Sequence, residues 1–164
     1  MSKKFIPLIL GSGREGRQSE KVAKFVFELM KNFDIETEFV DVRDYAGLQT
    51  VAPWMPGEKA EKWRQIAARA DGFLIVSPEY SHSYPGELKI LLDSALDEYT
   101  DKPVGLVAAS KDGFDGVRLV ENILHVFNAL RLVFVGAVNV SYVESFVGDD
   151  YKERMENLIK VIIR

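Results

Sequence analysis

The segment from Phe5 to Phe27 constrains the fold more than any other part of this sequence. It opens with an apolar run typical of a buried strand, crosses a polar loop with three glycines and two arginines, and ends in a helical pattern. The first N–H groups of a helix lack partners within it, and the helix dipole attracts anions to them. We therefore predict a strand, an anion-binding loop and a helix with Ser19 as its N-cap.

The polar side chains of this loop favour a phosphate group as the anion. Hydroxyl groups donate hydrogen bonds to phosphate oxygens, and arginine presents a planar, charged fork that matches them. The candidates are Ser12, Arg14, Arg17 and Ser19. The glycines match the G-x-G-x-x-G spacing, but two arginines inside it would crowd a pyrophosphate. An alternative interpretation is a tight turn with solvated arginines.

Length, charge and composition exclude several classes of protein. A chain of 164 residues fits one domain with a substantial core, and a net charge of −4 gives no support to nucleic-acid binding. The absence of cysteine excludes disulfides and thiolate metal sites, and neither histidine has a partner at metal-ligand spacing, so we expect no metal. Without an apolar run of about 18 residues or a signal-peptide pattern, we expect a cytoplasmic protein.

Strand and helix patterns alternate along the rest of the chain. This alternation predicts an α/β domain with five βα units and a doubly wound parallel sheet. The predicted strands after the first are 35–42, 73–76, 104–108 and 133–143, and the predicted helices are those beginning at 19, 58, 85, 117 and 150. Ligands of such sheets bind at the carboxyl ends of the strands, where we expect the loops after the first, third and fourth strands to meet.

The long segment from Arg43 to Gly57 is irregular and contains Tyr45, Trp54 and Met55. Aromatic residues and methionine are enriched at protein interfaces, so this segment is a predicted subunit contact. The alternative is that Trp54 covers the core.

Two further loops carry recognisable patterns. The stretch from Ser77 to Leu96 contains Pro78 and Pro85, which restrict the backbone, so its loop should be stiff and suited to a flat ligand. The loop from Ser110 to Gly116 follows the fourth predicted strand.

With these motifs the chain resembles the NADPH-dependent FMN reductase family, whose fold is flavodoxin-like and which includes quinone and azo-dye reductases. The resemblance spans nearly the whole chain. It rests on the first loop (Gly11, Ser12, Arg14, Arg17, Ser19), the S-P-E-Y…S-Y-P-G-x-L-K stretch (Ser77, Pro78, Glu79, Tyr80, Ser83, Tyr84, Pro85, Gly86, Leu88, Lys89), and the loop after the fourth strand.

The resemblance implies FMN as cofactor, NADPH or NADH as electron donor, a small-molecule acceptor such as a quinone or flavin, and a homodimer or homotetramer. It also implies the strand order 2-1-3-4-5. The implied contacts are Ser12, Arg14, Arg17, Gln18 and Ser19 for the FMN phosphate, and Pro78, Glu79, Tyr80, Ser81, His82, Ser110, Lys111, Asp112 and Gly113 for the ring. Ser81 stands where the family usually has Asn, and the loop from Ala109 is bulkier and more charged than usual.

Because the cofactor carries the chemistry in such a protein, we expect no catalytic side chain. We expect His82 not to act as an acid or base, and His125 to pack within a helix. Two other functions stay open: a flavodoxin-like electron carrier with a protein partner, and a flavin-poor scaffold of the same fold. The P-E-Y motif and the modest net charge favour the enzyme.

Overall fold

A computed structural model describes residues 3–114 and 116–164, so the predicted loop from Ser110 to Gly116 is described apart from residue 115. Its strands are β1 Lys4–Phe5, β2 Leu8–Leu10, β3 Ile35–Glu36, β4 Phe39–Asp41, β5 Phe73–Pro78, β6 Pro103–Ala109 and β7 Val133–Val140. Its α-helices are α1 Ser19–Met30, α2 Val42–Tyr45, α3 Glu58–Arg69, α4 Gly86–Asp93, α5 Val117–Ala129 and α6 Lys152–Ile162.

The main sheet has five parallel strands in the order β4-β2-β5-β6-β7. Counted along the chain, these strands stand in the order 2-1-3-4-5. The predicted α/β class with a doubly wound parallel sheet is therefore confirmed. From β2 the chain first adds β4 on one side of the sheet and then adds β5, β6 and β7 on the other side. The change of direction creates a switch point between β2 and β5.

Pro7 explains why the first strand is divided. Proline has no N–H group and cannot donate to a strand ladder, so β1 and β2 are separated at this position. The pairing continues on both sides of the break, since β1 pairs with β3 and β2 with β4. The hydroxyl of Thr37 donates a hydrogen bond of 2.8 Å to the carbonyl of Ile6 across the gap.

The core lies in two layers, one on each face of the sheet. Strand residues of one parity, such as Ile9 and Ile75, pack with apolar residues of α3, α4 and α5. Residues of the other parity, such as Leu10 and Leu74, pack with α1 and α6. Because the central strands β5 and β6 are buried on both faces, they are continuous apolar runs, as the sequence suggested.

The last strand ends earlier than predicted. β7 stops at Val140 rather than Val143, because the chain leaves the sheet and Tyr142 adopts a left-handed conformation (φ 48°). Residues 141–151 then turn back toward α1, where Phe146 packs edge-on against Phe25 with ring centroids 5.7 Å apart. Among the described residues, no helix is long and apolar enough to cross a bilayer.

Candidate functional site

Four loops at the carboxyl edge of the sheet enclose a cavity of about 310 Å³. They follow β2, β5, β6 and β7, so the expected convergence of three loops is observed, with a fourth added. The lining residues are Arg14, Gly16, Arg17, Gln18, Ser19, Pro78, Glu79, Tyr80, Ala109, Lys111, Val143 and Glu144. The predicted residues that lie in these loops but outside the lining are Ser12, Ser81, His82, Ser110, Asp112 and Gly113.

A larger groove of about 860 Å³ runs beside the edge strand β7, between α5 and α6. It is lined by the strand edge and the sides of the two helices rather than by loops at the switch point. Asn139, whose side-chain oxygen is buried without a partner, lies in this groove. The smaller cavity is the candidate site because it lies where doubly wound sheets bind ligands.

Ser19 is the first residue of α1, and its hydroxyl is buried without a hydrogen-bond partner in the described structure. The prediction that Ser19 is the N-cap was wrong: Gln18 occupies that position in a helical conformation, without a side-chain cap. Buried hydroxyl groups are almost always satisfied. A residue that lines a cavity at the start of a helix, with a hydroxyl group that lacks a partner, is suited to an anionic ligand.

Arg17 differs most from its predicted role. Its side chain is 1% exposed, and its guanidinium donates to both carboxylate oxygens of Asp41, with 2.9 Å between Nη1 and Oδ1. It also donates to the carbonyl of Ser12, and its Nε donates to Glu20 at 3.3 Å. The prediction that this guanidinium binds phosphate is therefore corrected, because four of its five N–H donors are already used inside the protein.

Asp41 also holds Arg43, whose Nη2 lies 2.6 Å from Oδ2 and whose backbone N–H donates to Oδ1 at 3.0 Å. Burial alone would raise the pKa of the Asp41 carboxyl. The hydrogen bonds from Arg17 and Arg43 outweigh burial and hold this pKa well below its ordinary value. Asp41 is therefore a carboxylate that ties the β2–α1 loop to the end of β4.

Arg14 is exposed and belongs to no ion pair within residues 3–114 and 116–164. Its guanidinium carbon lies 3.7 Å from the centroid of the Tyr80 ring. The Tyr80 hydroxyl is 3.0 Å from Ser12 Oγ, which is buried and also accepts from the backbone N–H of Arg14 at 3.3 Å. Of the two predicted arginines, Arg14 is the one with charge available to a ligand.

The turn after Tyr80 is a tight two-residue hairpin. Tyr80 and Ser83 exchange backbone hydrogen bonds of 2.8 and 2.9 Å, while Ser81 (φ 49°) and His82 (φ 63°) are both left-handed. Left-handed residues at both central positions are typical of a type I′ turn, which favours Asn followed by Gly. The carbonyl of His82 is held by the Asn122 side chain at 2.8 Å.

Glu79 has a structural contact. Its carboxylate accepts a hydrogen bond of 3.4 Å from the N–H of Leu119, in the first turn of α5. A carboxylate at a helix start is favoured by the helix dipole. The Glu79 side chain thus stabilises α5, and its backbone N–H donates to Ala109 at 2.8 Å, joining the loops after β5 and β6.

Val143 and Glu144 were missed by the sequence analysis. Glu144 contacts two lysines from other parts of the chain: its carboxylate lies 3.3 Å from Lys111 Nζ in the loop after β6, and its carbonyl accepts from Lys21 of α1 at 2.7 Å. The available signal was topological, because the loop after β7 must neighbour the loop after β6. In that loop Ser110 and Asp112 are used locally, since Ser110 Oγ donates to the Asp112 carbonyl at 2.9 Å.

A sequence model described as NADPH-dependent FMN reductase matches residues 6–145. The chain belongs to the NADPH-dependent FMN reductase family. An NAD(P)H-dependent FMN reductase of Schizosaccharomyces pombe is 33% identical over 138 residues, which cover 77% of this chain and 67% of that protein. An FMN-dependent NADPH-azoreductase of Staphylococcus aureus is 29% identical over 111 residues, covering 63% of this chain and 58% of that protein. The chain therefore spans about three fifths to two thirds of these relatives.

Solved structures share the fold over almost the whole length. The flavoenzyme NAD(P)H:(acceptor) oxidoreductase of Paracoccus denitrificans aligns with a TM-score of 0.79 and 17% identity, covering 98% of this chain and 95% of that one. An NAD(P)H:quinone oxidoreductase of Methanothermobacter marburgensis aligns with a TM-score of 0.74 and 11% identity, covering 97% and 96%. A flavodoxin of Streptococcus pneumonia aligns with a TM-score of 0.65 and 17% identity, covering 96% and 97%. At these identities the likeness shows the flavodoxin-like fold alone.

The cavity residues fit the phosphate end of FMN, the cofactor of this family. A phosphate group would accept from the buried Ser19 hydroxyl and from the first N–H groups of α1, and Arg14 would supply a positive charge. The cavity volume of about 310 Å³ lies at the small end of the range for cofactor sites.

Replacing Asp41 by Asn should lower the free energy of unfolding by about 3 kcal/mol at pH 7, because Arg17 would lose its main buried partner. The lowered pKa of Asp41 means that its stabilisation is complete above the unfolded value of about 3.9 and is lost as the pH falls below it. Urea unfolding at pH 7 and in steps down to about pH 2 should show the difference between the two proteins narrowing below about pH 4 without vanishing, because the folded pKa lies lower still.

The matched control is Asp34→Asn, since Asp34 pairs with Lys3 at 2.7 Å on the open surface. This variant should change the free energy of unfolding by less than about 0.5 kcal/mol at pH 7. Equal losses in the two variants would contradict a special role for the buried pair.

Replacing Ser81 by Asn should raise the free energy of unfolding by about 0.5–1 kcal/mol, because Asn adopts the left-handed region more readily than Ser. Thermal and urea unfolding measure the gain. Ser83→Asn is the control, because Ser83 ends the same hairpin without a positive φ and should gain nothing. A loss of stability in Ser81→Asn would contradict the assigned turn.

Proposed function

We propose that this chain is an FMN-dependent NAD(P)H oxidoreductase that passes electrons from NADPH or NADH to a small acceptor such as a quinone or another flavin. The observation that carries this proposal is Ser19, which lines the cavity at the switch point and whose buried hydroxyl has no hydrogen-bond partner in the described part of the chain. Membership of the FMN reductase family supports it. The two relatives named above are described as using NAD(P)H or NADPH together with FMN, which supports the proposed donor and cofactor.

The residues of the site divide by task. The phosphate group is bound by the start of α1 together with Arg14, Gln18 and Ser19. Ser12 does not line the cavity but contacts the Tyr80 hydroxyl and the backbone N–H of Arg14. Pro78 and the backbone of residues 79–83 form the wall against the ring, whereas the Tyr80 side chain is directed at Ser12 and Arg14. The backbone of residues 110–113 forms the neighbouring wall, and Lys111 lies at its rim with 82% of its side chain exposed.

FMN, when bound, supplies the hydride and electron transfer. The contribution of this chain is to hold the cofactor, exclude water from one side and leave the other side open to donor and acceptor. His82 is exposed, and its carbonyl rather than its ring makes the described contact with Asn122. We therefore assign no proton transfer to His82 and no catalytic role to any side chain.

The purified protein should bind FMN and then oxidise NADPH when menadione is present as acceptor. Fluorescence titration measures FMN binding, and the absorbance of NADPH at its long-wavelength maximum measures turnover. Arg14→Ala should weaken FMN binding by about 1.5–3 kcal/mol, the range for hydrogen bonds to charged groups.

Arg69→Ala is the matched control, because Arg69 also stacks on an aromatic ring, Phe5, at 4.3 Å but at the opposite end of the sheet. It should leave FMN binding unchanged. FMN binding without NADPH oxidation would favour an electron carrier, and no FMN binding would favour a flavin-free scaffold.

We also propose a homodimer or homotetramer that uses the loop between α2 and α3. Leu48, Trp54 and Met55 are exposed there, so Trp54 does not cover the core. The loop is nevertheless held in place: Arg64 donates to the Met55 carbonyl at 3.1 Å, and Lys59 donates to the Ala46 carbonyl at 3.3 Å. A fixed loop with exposed apolar side chains is suited to subunit contact.

A cytoplasmic location stays a prediction from the sequence.

Light scattering after gel filtration should give a mass of at least two chains at micromolar concentration. The double variant Leu48→Ser, Trp54→Ser should shift the protein toward a single chain, because it removes the exposed apolar contacts. Val133→Ser, an exposed residue at the edge of the sheet, is the control and should not change the mass. A single-chain mass for the unaltered protein would refute the proposed assembly.

A further inference from the structure

Tyr80 connects two loops that approach the cavity from different strands. It follows β5, but its hydroxyl lies 3.0 Å from Ser12 Oγ in the loop after β2. The guanidinium of Arg14, also from the loop after β2, stacks on the face of its ring at 3.7 Å from the centroid. Tyr80 therefore contacts both a buried hydroxyl and the exposed cation of the neighbouring loop.

The backbone around Tyr80 fixes the direction of its side chain. Tyr80 is closed into the hairpin by two hydrogen bonds to Ser83, and the left-handed residues Ser81 and His82 make this turn sharp. Asn122 of α5 holds the turn through the His82 carbonyl at 2.8 Å. The Tyr80 ring therefore extends from a hairpin that hydrogen bonds hold in place, whereas Arg14 lies in an exposed part of the loop after β2.

An exposed arginine has many rotamers, and ordering it on a ligand costs conformational entropy. Stacking on an aromatic ring restricts those rotamers before the ligand arrives and adds a cation–π attraction. A cation that is ordered in advance binds its anion more tightly because less entropy is lost on binding. The Tyr80 ring would therefore increase the affinity of Arg14 for phosphate.

We propose that Tyr80 is a positioning residue for the phosphate group of the cofactor, acting through Arg14 and Ser12. This inference rests on the proposed function, because FMN is the ligand whose phosphate would be held. Tyr80 lies in the β5–α4 loop, whose backbone is assigned to the flavin ring. In this proposal its side chain affects the other end of FMN, the phosphate group. The expected signature is a loss of affinity for FMN without a matching loss for riboflavin, which has the same ring but no phosphate.

The experiment is a double-variant cycle read by flavin fluorescence, with FMN and riboflavin as the two ligands. Tyr80→Leu should weaken FMN binding about tenfold and leave riboflavin binding within about twofold. In the Arg14→Ala background the same substitution should weaken FMN binding by less than about threefold, because its target is gone. Tyr80→Phe keeps the stacking ring and should recover most of the FMN affinity.

A second measurement needs no flavin. In the unliganded protein the side-chain protons of Arg14 should be shifted upfield in the NMR spectrum by the Tyr80 ring current. This shift should persist in Tyr80→Phe and vanish in Tyr80→Leu, and circular dichroism checks that each variant is folded. Arg69→Ala is again the control, since its partner ring lies at the other end of the sheet.

The possible results separate the inference from the proposed function. If the unaltered protein binds FMN but the Tyr80 and Arg14 effects add without coupling, or FMN and riboflavin weaken equally, the inference is overturned and the function stands. If the unaltered protein binds no FMN, the proposed function fails and the inference fails with it. Coupled effects confined to FMN support both.

Discussion

The buried pair of Arg17 and Asp41 is the interaction on which the site depends. Arg17 lies in the loop after β2, and Asp41 is the last residue of β4. Their contact therefore joins the first two strand–helix units of the fold, next to the switch point. The Arg17 guanidinium also donates a hydrogen bond to the Ser12 carbonyl, which fixes the path of the loop around the cavity. A buried pair contributes little net stability relative to apolar packing, but it specifies one arrangement strongly. The loop therefore presents Ser19 and Arg14 in defined places.

The sequence was sufficient for the fold because the central strands are continuous apolar runs, the second predicted strand alternates as an edge strand does, and the long helices have clear apolar faces. It was sufficient for the position of the site, because parallel topology brings the ends of the strands together. It was not sufficient for the roles of individual polar residues. Arg17 and Arg14 look alike in the sequence, and only the proximity of Asp41, distant along the chain, separates a structural arginine from an available one.

The residues that sequence analysis missed share one property: they act through contacts formed only after folding. Val143 was predicted to end the last strand and Glu144 to follow it directly, and no local pattern marks the left-handed residue at Tyr142, beyond which the chain has left the sheet. The Ser19 hydroxyl was assigned to a cap because serine favours that position. In the structure Gln18 is already helical, and the buried hydroxyl of Ser19 has no hydrogen-bond partner among residues 3–114 and 116–164.

The rim formed by Glu144 has a consequence for access to the site. Its carboxylate and Lys111 are both largely exposed, at 62% and 82%, and such a pair contributes at most about 1 kcal/mol. A difference of that size leaves the broken pair well populated at any moment. The attraction also weakens as salt shortens the distance over which charges interact, to about 8 Å at physiological ionic strength. The contact between these two cavity loops therefore weakens as the ionic strength rises, whereas the hairpin after Tyr80 is held by backbone hydrogen bonds that do not depend on paired charges.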